Sequence, residues 1–232
     1  MSQTRRERQR AATTDEIKQI ARQHMAERGA ASLSLRAIAR EMGMTSPALY
    51  RYFASRDELV TALIVDAYHS LATALQVARD AQPEGDHAAR VLQTAHAYRN
   101  WALAHPADYQ LIFGTPIPGY HAPPEITDPA AAQSMIVFIS VLDAIDRAGQ
   151  LRVPEPAPEL MAQLQPWIDK FGYTGSPAVV HFALAGWARI HGLVSLEQFG
   201  HLCADPEEGD AEALFETEIR AMMRRMGIAG GK

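Results

Sequence analysis

The chain has 232 residues, 47% hydrophobic and 21% charged, which is enough apolar side chain for a sizeable core and excludes a wholly disordered protein. A single cysteine, Cys203, excludes both an internal disulfide framework and a cysteine-built zinc cluster. The net charge of -5 is unevenly spread. Residues 1–60 carry 11 Lys and Arg against 7 Asp and Glu, a surplus of +4, while the rest carries 11 against 20. A basic head on an acidic body implies that the head alone meets a polyanion. No uninterrupted apolar run approaches the ~20 residues of a bilayer-crossing helix. The basic N-terminus leads into no apolar secretory segment either, so the expectation is a soluble, cytoplasmic protein without a membrane partner.

Residues 1–10 hold Arg5, Arg6, Arg8 and Arg10, and read as a basic arm able to enter a DNA groove or as a solvated terminus. Thr13 with Glu16 has the spacing of a capping box. From there Ile17, Ile20, Ala21, His24 and Met25 recur at helical spacing up to Gly29. Ser34 can cap a short helix with Leu35, Ile38, Ala39 and Met42 inward, and Gly43 supplies the left-handed turn after it. Thr45 caps a third helix with Pro47 in its first turn, and Ser55 with Glu58 opens a long helix towards Asp80.

Further helices are expected at about 86–104, 128–149, 157–171, 176–201 and 209–226. Asp128-Pro129 and Ser176-Pro177 each read as a cap followed by proline in the first turn, and Gly149 and Gly227 as stops. The proline-rich stretch from Gly114 to Thr127 reads as a loop. No period-2 pattern appears, so the fold class is all-α.

Helix two, Gly43 and helix three have helix–turn–helix spacing. Near the start of a recognition helix, outward side chains must be small, and further along they must seek phosphate. Thr45, Ser46, Pro47 and Ala48 are compact, while Tyr50, Arg51, Tyr52 and Arg56 can approach a backbone or base edge. Leu49 and Phe53 form the opposing apolar face. The tyrosines could equally be packing aromatics, and Arg40 reads as a solvated helix residue.

The run from Ser34 to Phe53, continued by Ala54-Ser55-Arg56-Asp57-Glu58-Leu59, resembles the DNA-binding motif of the tetracycline-repressor (TetR/AcrR) family. The resemblance spans residues 11–71, with its motif at 34–53, and implies a DNA-binding head followed by a ligand-binding and dimerising body at 72–232. It makes Arg36 a base-contact candidate, turns Thr45 to Ala48 towards the major groove, and places Tyr50, Tyr52 and Arg56 at phosphate-contact positions. Relatives often have His where Tyr52 stands and Lys at Arg56. Each replacement keeps a hydrogen-bond donor.

In the body, the segment around Gly186-Trp187 and His191-Gly192 resembles the Trp…His-Gly signature of one C-terminal subgroup of that family. Tyr98 to Phe113 is similar to the same subgroup. Trp187 and His191 share a helix face. With Gly186, Ile190, Gly192 and Met222 of the last helix they suit a four-helix dimer seam, or alternatively an internal core face. Tyr98, Trp101, Phe113, Phe138, Trp167 and Phe171, with His105 as polar anchor, are candidates for a ligand cavity.

His181, His191 and His201 fan around their helix and would not converge on a metal. No glycine-rich phosphate loop, nucleophile elbow or metal motif argues for an enzyme, and no cofactor is expected. The expectation is a homodimeric regulator that binds double-stranded DNA at a pseudo-palindromic operator and answers to a small, largely apolar effector. The alternative is a constitutive DNA-binding protein without a ligand.

Overall fold

The computed structural model describes residues 4–202 and 211–228, and Cys203 lies outside them. Among the described residues ten α-helices follow one another: α1 (Arg5–Arg28), α2 (Leu35–Glu41), α3 (Ser46–Leu49), α4 (Arg56–Asp80), α5 (His87–Ala104), α6 (Pro106–Phe113), α7 (Pro124–Arg147), α8 (Pro158–Phe171), α9 (Pro177–Gln198) and α10 (Glu212–Arg225). No strand occurs among the described residues, as the all-α reading requires.

From Arg5 onward the N-terminal arm is helical rather than extended. Thr4 and Glu7 form the capping box that starts α1, with Thr4 N donating to Glu7 Oε2 at 2.8 Å. The expected box at Thr13 does not form, because the helix already runs through it. The Thr13 hydroxyl donates back to the Gln9 carbonyl at 3.0 Å instead. Two segments of identical cap spelling compete, and the upstream one wins.

Ser34 caps α2 by accepting from Ala37 N at 3.4 Å, and Gly43 takes φ 64 in the turn. At α4, Glu58 N donates to Ser55 Oγ at 3.1 Å and the Glu58 carboxylate accepts from Ala54 N at 2.6 Å. Ser176 caps α9 as its sequence implies, accepting from Ala178 N at 3.2 Å. The expected start of α7 at Asp128-Pro129 is corrected. Pro124 opens the helix and Pro129 lies inside it, so of two prolines able to occupy a first turn the earlier one does. Helix α6 has no counterpart in the sequence expectations.

The chain forms two compact units. One takes the chain up to Tyr68 together with His105–Ala130, and the other takes His69–Ala104 together with the chain from Ala131 onward. A division at residue 71 therefore misses the return of α6 and its following loop to the N-terminal unit. Their attachment is ionic and apolar. Arg22 Nε donates to both carboxylate oxygens of Asp108, at 3.0 and 3.2 Å, and Arg22 Nη2 reaches Asp66 of α4 at 3.4 Å. Lys18 completes the group, 2.8 Å from Asp66. Ile117 joins the core of Ile17, Ala21, Ile38, Leu49, Leu59 and Leu63, and the Tyr120 hydroxyl bonds Thr61 Oγ1 at 2.9 Å.

In the other unit α5 packs with α9 and α10. Arg99 and Glu197 form a buried pair, with N···O distances of 2.5 and 2.8 Å. Trp101 Nε1 donates to Ser70 Oγ at 3.0 Å. Burial would raise the Glu216 carboxyl, but hydrogen bonds from His96 and Arg220 outweigh it and hold Glu216 below the usual range. Over an 18-residue stretch α4, α7 and α9 reach mean hydropathies of 1.2, 1.3 and 1.3, which an uninterrupted-run criterion overlooks. Of those stretches 44%, 56% and 33% are buried within the fold.

A Cβ added at Gly43 would meet no atom within 4 Å, so only the left-handed backbone resists substitution. Gly43→Ala is expected to lower unfolding free energy by about 1–2 kcal/mol, and Gly43→Asn by less. Urea denaturation of the three proteins checks the order.

Candidate functional site

The helix–turn–helix presents its polar side chains on one surface because Leu49 and Phe53, 0% and 5% exposed, turn the opposite side of α3 and its following turn into the core. Arg36, Thr45, Pro47, Tyr50 and Arg51 are exposed, while Ser46, Ala48 and Tyr52 are half-buried. The Thr45 hydroxyl makes no cap bond to α3 and stays available to an external partner. Among the described residues, Arg36 and Tyr50 make no side-chain hydrogen bond or ion pair within the fold.

Two of the candidate residues are engaged by the protein itself. Arg56 Nη2 donates to the carbonyls of Ala30 and Ala31, at 3.2 and 3.1 Å, and so staples the start of α4 to the turn before α2. Tyr52 packs against the core and lies under the Arg10 guanidinium, 5.4 Å from ring centroid to Cζ. Arg10 also donates to the Arg51 carbonyl at 3.1 Å. The spacing of the motif carries no signal of this long-range contact.

The second unit contains an apolar cavity of about 30 Å³ between α5, α7, α9 and α10. Phe138, Val91, Trp187, Ile190, Met222 and Met226 are in its wall, with Thr94 contributing a hydroxyl that is already bonded to the Arg90 carbonyl at 2.7 Å. Beside it the Tyr98 hydroxyl lies 3.0 Å from His191 Nδ1, and Trp187 stacks on the His191 ring at 5.3 Å. Burial pushes His191 below its ordinary value, so the ring is neutral near pH 7.

Two family descriptions fit the chain: "Bacterial regulatory proteins, tetR family" over residues 17–63 and "Tetracyclin repressor-like, C-terminal domain" over residues 91–222. The chain belongs to the TetR family. It is 39% identical over 209 residues to the HTH-type transcriptional regulator Rv1816 of Mycobacterium tuberculosis, covering 89% of each chain. The HTH-type transcriptional regulator Mb1846 of Mycobacterium bovis matches with the same identity and coverage. Regulatory protein SCO4313 is similar in structure, with TM-score 0.77 and 40% identity over 95% of this chain and 100% of that one. A tetR-family regulatory protein from Rhodococcus RHA1 shares the fold at TM-score 0.63 and 18% identity, over 94% and 98% of the two chains. As a TetR-family member the protein is a DNA-binding transcriptional regulator, of a family whose members typically act as dimers.

Within the TetR fold the ligand candidates scatter. Phe138 lines the cavity, and Tyr98 and Trp101 are buried in the same unit. His105 is exposed at the start of α6, in the N-terminal unit, and is not among the residues that line the cavity. Phe113 packs edge-on against Tyr68 and Tyr109 in the N-terminal unit. Trp167 and Phe171 pack on each other along α8 at 4.8 Å, away from the cavity wall.

The seam candidates are redistributed too. Gly186, Trp187, Ile190 and Met222 face inward on the cavity, and a Cβ at Gly186 would sit 3.3 Å from Met222 Sδ of the same chain. Of that set Gly192 faces open space, on the side of α9 that also exposes Ala185, Ala188 and Leu196. Helix α9 is apolar nearly all round, so its periodicity does not say which face meets its own chain.

Two measurements check this geometry. Arg36→Ala should leave the urea midpoint unchanged, whereas Arg56→Ala should lower it, since only Arg56 holds the fold's own carbonyls. The folded value of His191 lies below its unfolded value of about 6.5. Its contribution is therefore intact above that pH and lost as pH falls below it. His191→Gln should flatten the decline in stability measured between pH 7 and 5.

Proposed function

We propose that the protein is a ligand-responsive repressor, a homodimer released from a pseudo-palindromic operator by a small, largely apolar molecule. The observation that carries the DNA half of this reading is the surface of small side chains, Thr45 to Ala48, flanked by the exposed Arg36, Tyr50 and Arg51. Small groups admit a helix close to base edges in the major groove, and the longer ones fix it to phosphates. Arg36 and Thr45 read bases, while Tyr50, Arg51 and Tyr52 position the head. Arg56 supports the head from behind through the Ala30 and Ala31 carbonyls.

The two heads read half-sites about 34 Å, or one helical turn, apart or a multiple of it. The exposed side of α9 around Ala185, Ala188, Gly192 and Leu196 supports the dimer. Its small residues let a second helix approach closely, and Leu196 is 44% exposed among the described residues. The seam proposed here lies one face away from Gly186 and Trp187.

The effector site is the cavity beside Phe138 and Trp187. Its present volume suffices for about one water, and thioether side chains form part of its wall. Flexible Met222 and Met226 are the groups able to swing aside for a larger apolar guest. The small volume also supports the second reading, a regulator without any ligand. A 100-fold release from the operator requires about 2.7 kcal/mol of differential effector affinity.

Fluorescence anisotropy with DNA from the protein's own upstream region tests the proposal. Saturable binding that outlasts scrambled DNA at raised salt is expected, and Arg36→Ala should reduce operator affinity about 10–100-fold, within 1–3 kcal/mol per base contact. Uncharged aromatics and alkanols should then release the operator, and Ala183→Leu, which fills the cavity, should abolish release while sparing DNA binding. Operator binding indifferent to all such compounds would favour the ligand-free regulator. Equal binding to operator and scrambled DNA would remove the repressor reading.

A further inference from the structure

We propose that the first turns of α1 form a rigid phosphate clamp beside the recognition helix, with Arg5 and Arg6 gripping the DNA backbone and Arg10 fixing the recognition turn to the clamp. The proposal rests on the DNA-binding reading of the head and specifies a second contact made by the same surface.

The core stripe of α1 runs through Met25, Ala21 and Ile17. Continued upstream by helical steps it passes Thr13 and reaches Arg10 and Arg6. The side that buries apolar groups thus becomes a row of guanidinium groups where the helix passes beyond the core. Arg5 stands 12 residues before Ile17, about 18 Å along the axis. The Thr4–Glu7 capping box holds this extension helical to its first turn.

Between the extension and the recognition element lies an open groove. Arg5, Arg6 and Arg10 line one side of it, and Ala48, Arg51 and Tyr52 the other. No acidic residue lines it among the described residues. Arg10 spans the groove's base through the Arg51 carbonyl and the Tyr52 ring, while Arg5 and Arg6 make no ion pair among the described residues. Four arginines converge on a concave strip continuous with Ala48, and a polyanion laid along the recognition surface fits that charge.

Dimensions select the part of the DNA. A helix with its side chains is about 10–12 Å across, and the minor groove of B-DNA is about 6 Å wide. The extension therefore cannot enter the minor groove as a flexible arm would. It lies along the sugar–phosphate wall of the major groove that receives α3, and its contacts carry affinity without sequence information.

The test measures the slope of log affinity against log salt for operator and scrambled DNA. Each lost phosphate contact lowers the slope by about 0.9. The double variant Arg5→Ala/Arg6→Ala should therefore lower it by about 1.8 per head, equally on both DNAs, with the specificity ratio kept. Arg8→Ala removes the same charge from an exposed position off the groove and should change the slope little. Arg10→Ala should reduce operator affinity more than scrambled-DNA affinity, because it loosens the recognition turn.

An unchanged slope in the double variant overturns the clamp while leaving operator recognition intact. So does a loss that depends on A·T content beside the half-site, the mark of minor-groove reading, and so does an Arg8→Ala effect equal to that of Arg6→Ala. A wild-type protein that binds no DNA would fail the underlying reading as well, and is told apart by the first titration. Circular dichroism of each variant confirms that the fold is retained.

Discussion

Asp108 is 6% exposed, and a carboxylate so far from water is tolerated only when a cation and hydrogen-bond donors replace its hydration. Arg22 provides both, with two contacts from Nε, and its Nη2 extends to Asp66, which Lys18 also holds. One arginine on α1 thereby ties α4 and α6 into the N-terminal unit. Because removing one partner of a buried pair strands the other, this group specifies where α6 sits far more sharply than apolar packing alone would. The segment 105–130 belongs with the DNA-binding unit for that reason, although 36 residues of the other unit precede it in the chain.

The head built on this frame separates supporting from exposed functions. His24 of α1 bonds Glu41 of α2 at 2.7 Å, Arg56 secures the start of α4, and Arg10 secures the turn after α3. The charges left over, at Arg36, Arg51 and the first residues of α1, are those with water in front of them. A positive surplus of +4 over 60 residues therefore understates the charge facing the groove, because no acidic residue lines it among the described residues.

Much of this was legible in the sequence. Local signals of short range succeeded: Ser34, Gly43, Ser55-Glu58, Ser176-Pro177, and the inward set Ile17, Ala21, Met25, Leu35, Ile38 and Ala39 all serve as their spacing implies. Failures fall where a local signal has two equivalent settings. Thr13-Glu16 competes with Thr4-Glu7, and Pro129 with Pro124. Helix α9 shows too little polar contrast to mark its inner face, so the sequence leaves Gly186, Trp187 and Ile190 open between a dimer seam and an internal face. Long-range polar contacts, such as Arg56 with the Ala30 carbonyl or Arg22 with Asp108, leave no periodic trace at all. Aromatic content likewise says that Trp167, Phe171 and Phe113 pack, but not into which space.

Helix α3 has four helical residues, too few to sustain a helix in water. It persists because Leu49 and Phe53 are held in the core, so the shape offered to a base edge is set by apolar side chains no nucleotide touches. A screen for variants that lose operator occupancy would therefore return interior positions alongside surface ones. The two groups would part only under an assay of protein abundance, since a slackened interior blurs the reading surface and shortens the protein's survival together, whereas a trimmed arginine does only the first.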